Sequence, residues 1–280
     1  MEAYVDDVVV KTRHVESLID DLRLTFDNLR TYDIKLNPEK CVFGVPAGKL
    51  LGFIVSSRGI EANPAKIRAL SQLAIPTHLK QIQKLTGCMA ALSRFISRLG
   101  EKALPLYRLL RHTEHFEWTD AATAGLEEIK PVLATNPILA TKKVGEPMLL
   151  YIAATHQVVS AVLVVEREMD GHKFPLQKSV YYVSTVLTPC KSRYPHYQKI
   201  AYAVFMASRK LRHYFQECSI TVASEVPLND IINNRDAPGW IDKWDIELLP
   251  FDITYKPRRA IKSQVLANFV AEWTEAELPK

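Results

Sequence analysis

The sequence predicts an α+β protein built on a mixed sheet, and three observations carry that expectation. Apolar runs of strand length, Met148 to Ala154, Val158 to Glu166 and Lys178 to Val183, follow one another closely, the last two joined across Asp170-Gly171. A long stretch from about Pro195 to Phe215 has helical period instead, with Tyr197, Ile200, Ala201, Val204, Ser208, Leu211 and Phe215 on one face. Beyond it, strands and helices alternate, so the second half reads β-β-β-α-β-α-β-α, an order that mixes parallel and antiparallel neighbours in one sheet.

The elements follow in chain order. The first expected strand spans Ala3 to Val10 and is apolar apart from Asp6-Asp7. Val15, Leu18, Ile19, Leu22, Phe26 and Leu29 then recur at helical spacing. Asn37-Pro38 marks a turn before two expected strands, Cys41 to Val45 and Lys49 to Ser56, and Ser57-Arg58-Gly59 reads as the next hairpin turn. Asn63-Pro64 opens a helical region. Pro76-Thr77 opens another, with Thr77 as the expected N-cap and Leu79, Ile82, Leu85, Met89, Leu92, Phe95, Ile96 and Leu99 on its apolar side. Thr119 is expected to cap a helix whose pattern contains Pro131, which predicts a kink or an early end there. Asn136 to Pro147 reads as a linker. After the long helix come a strand over Ser219 to Ala223, a helix carrying Trp240 and Trp244, a strand over Phe251 to Lys256, and a last helix from Ser263.

Composition excludes several classes. In 280 residues, 48% are hydrophobic and 24% charged, which rules out disordered and collagenous chains. The longest apolar runs, such as Ala161 to Val165, fall far short of the about 18 residues of a membrane span. The acidic start, Met1 to Asp7, has no signal-peptide core after it. Cys41, Cys88, Cys190 and Cys218 lie far apart with no CxxC pair, the pattern of reduced, intracellular thiols. The net charge of +5 is unevenly placed: between Pro64 and His115, nine basic residues face Glu101 and Glu114, a local +7 that leaves −2 for the rest. Such a segment suits a polyanion partner, nucleic acid above all, or else a solvated basic face. The histidines show no metal-ligand spacing.

Asp6 and Asp7 sit between Tyr4-Val5 and Val8-Val9-Val10. Adjacent carboxylates in an apolar run call for a cation, and Mg²⁺ prefers carboxylate oxygens together with substrate phosphates. Tyr4-Val5-Asp6-Asp7 resembles the YxDD strand of reverse transcriptases. Leu36-Asn37-Pro38-Glu39-Lys40-Cys41 is similar to the family's LNxxKC segment, and Leu51-Gly52-Phe53-Ile54-Val55-Ser56-Ser57-Arg58-Gly59-Ile60 to its primer-grip hairpin. Phe116-Glu117-Trp118-Thr119 resembles the FxWT entry to the segment before RNase H. The order of these motifs is closest to Pol polyproteins of gypsy-type, plant-like LTR retrotransposons.

That resemblance implies three parts: the C-terminal part of a reverse transcriptase palm (1–63), a helical thumb (64–115), and a connection with a degenerate RNase H-like domain carrying a mixed five-stranded sheet (116–280). It implies template–primer as partner, either DNA duplex or RNA/DNA hybrid, together with the remainder of a Pol polyprotein and no membrane. It implies an intracellular location, cytoplasmic or nuclear, with virus-like particles in the family. Gln81 to Gly87 resembles the first thumb helix. On a wheel of about 100° per residue, Lys80, Lys84, Arg94 and Arg98 form one basic stripe, provided the helix continues past Gly87. Gln83, Gly87 and Ala91 form an adjacent track, which in the family lies in the minor groove. A mid-helix glycine costs about 1 kcal/mol against alanine, and either close approach to nucleic acid or a tight helix–helix contact would explain Gly87.

The family's chemistry is expected to be incomplete. Asp6 and Asp7 form part of a polymerase site whose third carboxylate, with the fingers, lies upstream of the positions present, so these two would bind Mg²⁺ weakly. An active RNase H holds two Mg²⁺ ions with four carboxylates. Aligned by their neighbours, the four positions are Ala153, Ile200, Glu225 and Asn268, one carboxylate among them. The lineage reaction is RNA-directed DNA synthesis. Little or no turnover is expected of this chain alone, and a duplex-binding module or an unselected truncated transposon product are the alternatives. A second RNase H, which some plant elements carry, would lie beyond Lys280.

Overall fold

The structure, a computed structural model of the chain, describes residues 2–4, 7–12, 14–110, 116–168, 175–232 and 239–257. The chain forms two compact units, 1–63 and 64–280.

In the first unit, β1 (Glu2–Tyr4) and β2 (Asp7–Val9) pair antiparallel with Tyr4 opposite Asp7. The expected single strand is therefore a hairpin flanking positions 5 and 6. Helix α1 (Leu18–Thr31) carries Asp20 and Asp21 in its first turn and Arg30 in its last, the arrangement that suits the helix dipole. The Asn37 side chain accepts from Glu39 N at 3.0 Å and closes the turn at 38–40. The strand expected over Cys41 to Val45 is absent, and its apolar side chains Val42, Phe43 and Val45 are exposed. The strand expected over Lys49 to Ser56 is two, β3 (Ala47–Leu50) and β4 (Phe53–Ser56). Leu51 and Gly52 between them have φ of +51° and +77°, the double positive φ of a type I′ turn, which folds the run back on itself. β5 (Gly59–Ala62) pairs with β4 across Ser57-Arg58, as expected.

The second unit opens with α2 (Pro64–Ser71) and α3 (Leu79–Ala91). His78, not Thr77, occupies the N-cap of α3; Thr77 N instead donates to Gln81 Oε1 at 2.7 Å. The helix passes through Gly87 but ends at Ala91. A 3-10 turn (Ser93–Phe95) follows, Arg98 takes φ +54°, and the short helices α4 (Leu99–Lys102) and α5 (Leu104–Leu109) complete the stretch. α6 (Asp120–Ala134) is capped by Thr119, whose Oγ1 accepts from Ala122 N at 3.2 Å. It does not end early. Pro131 lies in its last turn, where the missing N–H forfeits one helical bond without stopping the helix.

Residues 136–147 are more than a linker. They contain β6 (Ile138–Leu139), and Ala140 N donates to Ser179 O at 2.8 Å. Arg167 binds both carboxylate oxygens of Glu146, at 2.7 and 2.9 Å, and holds that carboxyl below its usual pKa.

The five-stranded sheet comprises β7 (Met148–Ala154), β8 (Val158–Arg167), β9 (Leu176–Val186), β10 (Ile220–Ser224) and β11 (Ile253–Pro257). Its order is β11-β10-β7-β8-β9, with β7, β8 and β9 antiparallel and β10 parallel to both its neighbours. Between β9 and β10 lie α7 (Pro189–Ser192), α8 (His196–Lys210) and α9 (Arg212–Glu217), so the long expected helix divides at Leu211. α10 (Leu228–Ile232) and α11 (Gly239–Leu248) precede β11. α8 packs on one face of the sheet, its Ala203, Val204 and Ala207 in one core with Leu150, Leu163, Val165 and Trp244. On the other face Tyr151, Ala153, Val162 and Val164 cluster. The helix expected from Ser263 lies outside the described residues.

Candidate nucleic-acid interface

α3 presents two faces because its apolar residues repeat at helical spacing. Ile82, Leu85 and Met89 are fully buried, which leaves Lys80, Gln83, Lys84, Gly87 and Ala91 on the exposed side. A Cβ added at Gly87 would meet no atom within 4 Å, so a tight helix–helix contact does not explain this glycine. What remains is an exposed strip carrying two ammonium groups, an amide and a bare patch of backbone.

Arg94 and Arg98 do not share that strip. The helix stops at Ala91, and both arginines turn inward. The Arg94 guanidinium lies 4.6 Å from the centre of the Tyr181 ring on β9. It also reaches Tyr214, whose pKa is raised mainly by burial. Arg98 pairs with Glu101, and the side chains are only 12% and 17% exposed. The expected four-residue stripe is therefore two lysines, while Arg94 reaches Tyr181 of the sheet and Arg98 is paired with Glu101. Next to them the Gly100 amide donates to Ser184 Oγ at 2.9 Å. A Cβ at Gly100 would stand 2.5 Å from that oxygen and 2.8 Å from Val158 Cγ1, and one at Gly125 would stand 2.2 Å from the Lys102 carbonyl oxygen. α4 is thus wedged between the sheet and α6.

Asp6 lies outside the described residues; Asp7 is exposed, and its Oδ2 accepts from Leu51 N at 3.4 Å. Ala153 and Ile200 are 4% and 5% exposed and belong to separate apolar clusters, on opposite faces of β7. Glu225 is exposed, and Asn268 lies outside the described residues. Among the described residues no group of three or more His, Cys, Asp or Glu is placed to hold a metal ion. The donors described in the sheet domain do not fit a two-Mg²⁺ site, since methyl and sec-butyl groups offer no lone pair and a pair of dications requires dense negative charge. No described helix is long and apolar enough to cross a membrane.

Two polar contacts escaped sequence reasoning. Arg108 Nη2 donates to Gln157 Oε1 at 2.7 Å, and the buried Lys199 donates from Nζ to the His156 carbonyl at 3.1 Å. The charge count contained Arg108, but nothing in its neighbours linked it to a turn 49 residues away.

Residues 118–222 match the family model of the RNase H-like domain found in reverse transcriptase. The chain is 25% identical over 251 residues to the retrovirus-related Pol polyprotein from transposon 297 of Drosophila melanogaster, covering 88% of this chain and 22% of the relative. To that from transposon opus of the same fly it is 26% identical over 280 residues, covering 95% and 27%. To the transposon Tf2-3 polyprotein of Schizosaccharomyces pombe it is 23% identical over 270 residues, covering 92% and 19%. It therefore spans about a fifth to a quarter of the length of these relatives. In fold it is similar to the foamy viral protease-reverse transcriptase in complex with RNA/DNA hybrid, with a TM-score of 0.78, 20% identity, and coverage of 100% of this chain and 38% of that one. The dRH form of that enzyme in complex with dsDNA gives a TM-score of 0.76, 20% identity, and coverage of 94% and 46%.

Proposed function

We propose that the chain is a reverse transcriptase segment that binds template–primer duplex without cutting its RNA strand; the match of residues 118–222 to the RNase H-like domain found in reverse transcriptase, and the similarity of most of the chain to transposon Pol polyproteins, support this reading. In this reading residues 1–63 are the C-terminal part of a palm, 64–115 a thumb, and 116–280 a connection with a degenerate RNase H-like domain. The bound form is DNA duplex or RNA/DNA hybrid, the two ligands named for the foamy viral structures. Mg²⁺ binding, if it occurs, is weak and confined to Asp6 and Asp7.

The observation that carries the reading is Gly87. It lies within a 13-residue helix, forfeits about 1 kcal/mol of helix propensity, and is compensated by no packing. Bare backbone flanked by Gln83 and Lys84 suits close approach to a duplex groove. Binding should weaken with salt, log K falling by about 0.9 per neutralised phosphate for each unit of log salt. Replacing Lys80 and Lys84 together with Gln should reduce that slope by nearly two and weaken binding to every sequence alike. Titration of a labelled duplex by fluorescence anisotropy measures both. An unchanged slope would make the lysine strip a solvated face.

A further inference from the structure

At the junction between α5 and the sheet lies a cleft of about 240 Å³, lined in part by Tyr107, Arg108, Gln157, Leu187, Pro189 and Ser192. Among the described residues no carboxylate lines it. Arg108 is held by the neutral Gln157 amide and forms no ion pair among the described residues. On the same turn, the His156 carbonyl accepts from Lys199, whose ammonium also meets no carboxylate among the described residues. Two cationic side chains therefore converge on residues 156–157. This turn starts three residues after Ala153, and Lys199 immediately precedes Ile200.

We propose that this cleft binds a backbone phosphate of a nucleic-acid strand directly, without a metal ion, with Arg108 as the contacting cation. Gln157 and Lys199 are positioning residues: one orients the guanidinium, the other ties down the turn. Ser192 and Tyr107 supply neutral donors, and burial raises the Tyr107 phenol so that it stays protonated. A phosphate there needs no Mg²⁺ bridge, because opposite charges meet without intervening carboxylates. The inference rests on the duplex-binding reading and extends its footprint from α3 to the sheet.

The test is anisotropy titration of the 280-residue chain with labelled DNA duplex and RNA/DNA hybrid, in EDTA, over a range of NaCl concentrations. Arg108→Gln should lower the salt slope by about 0.9 and weaken binding about tenfold near 50 mM salt. Arg108→Lys should keep the slope, and Gln157→Ala should keep it with a smaller loss of affinity. Ser192→Asp, which leaves Arg108 in place, should reproduce the loss of affinity by repulsion. A parental slope and affinity in both Arg108→Gln and Ser192→Asp would overturn the proposal. So would a Gln157→Ala loss equal to that of Arg108→Gln, which would mark a merely structural contact. If the Lys80/Lys84 variant flattens the slope while Arg108→Gln does not, the cleft fails and the duplex reading stands. If the parent binds neither duplex, both fail.

Discussion

Ala153 and Ile200, the positions aligned by motif with two RNase H carboxylates, are buried apolar side chains. Each packs within an apolar cluster, and neither cluster has a place for a charged group without desolvation. Glu225 is exposed and one methylene longer than the aspartate of the family motif with which it is aligned. Incubation of the chain with labelled RNA/DNA hybrid and Mg²⁺ or Mn²⁺ should therefore leave the RNA intact. Assaying Ala153→Asp, Ile200→Glu, Glu225→Asp and Asn268→Asp together for a return of cleavage tests the alignment of the four positions, with a buried Glu at 200 the costly step. Hybrid-specific cutting by the unmodified chain, abolished by Glu225→Gln, would overturn the degenerate reading. The four positions were assigned by the strand and helix motifs around them, and those motifs could not show that Ala153 and Ile200 belong to clusters on opposite faces of β7. The inward turn of Arg94 and Arg98 was not legible either, because angular position on a helix says nothing about residues beyond the helix end.

Two glycines on neighbouring elements act in opposite senses. At Gly87 of α3 a methyl group has open space, so Gly87→Ala should stabilise the fold by up to about 1 kcal/mol while weakening duplex binding. At Gly100 of α4 the same carbon would press on Ser184 and Val158, so Gly100→Val should destabilise by about 1–3 kcal/mol. Thermal melts paired with binding titrations separate the two, and Gly87→Ala with tighter or unchanged binding would argue against a groove contact. Periodicity found the helices and the central strands readily. It missed the break after Ala91 because Leu92, Phe95, Ile96 and Leu99 are buried whether the helix continues or folds back, and burial is all that an apolar repeat records. It missed the division of β3 from β4 because a type I′ turn needs two residues, and Leu51 is an unusual occupant of positive φ.

At the scale of the whole molecule, each unit carries its own prediction. A polypeptide of these 280 residues should give no primer extension on poly(rA)/oligo(dT) with Mg²⁺ or Mn²⁺, and Asp6→Asn and Asp7→Asn should change nothing measurable. Extension abolished by Asp7→Asn would show a working site. The wedge formed by α4 bears on a different question. Gly125 lets the Lys102 carbonyl come within 2.2 Å of where a Cβ would stand, and Gly100 seats against Ser184 with as little room. These two codons tolerate almost no change without disturbing the second unit, whether or not any metal is bound. A reading frame accumulating mutations without selection would lose both readily. Homologous chains that keep both glycines while varying freely at 153 and 200 would record selection for the shape of the second unit, independent of the side chains at those two positions.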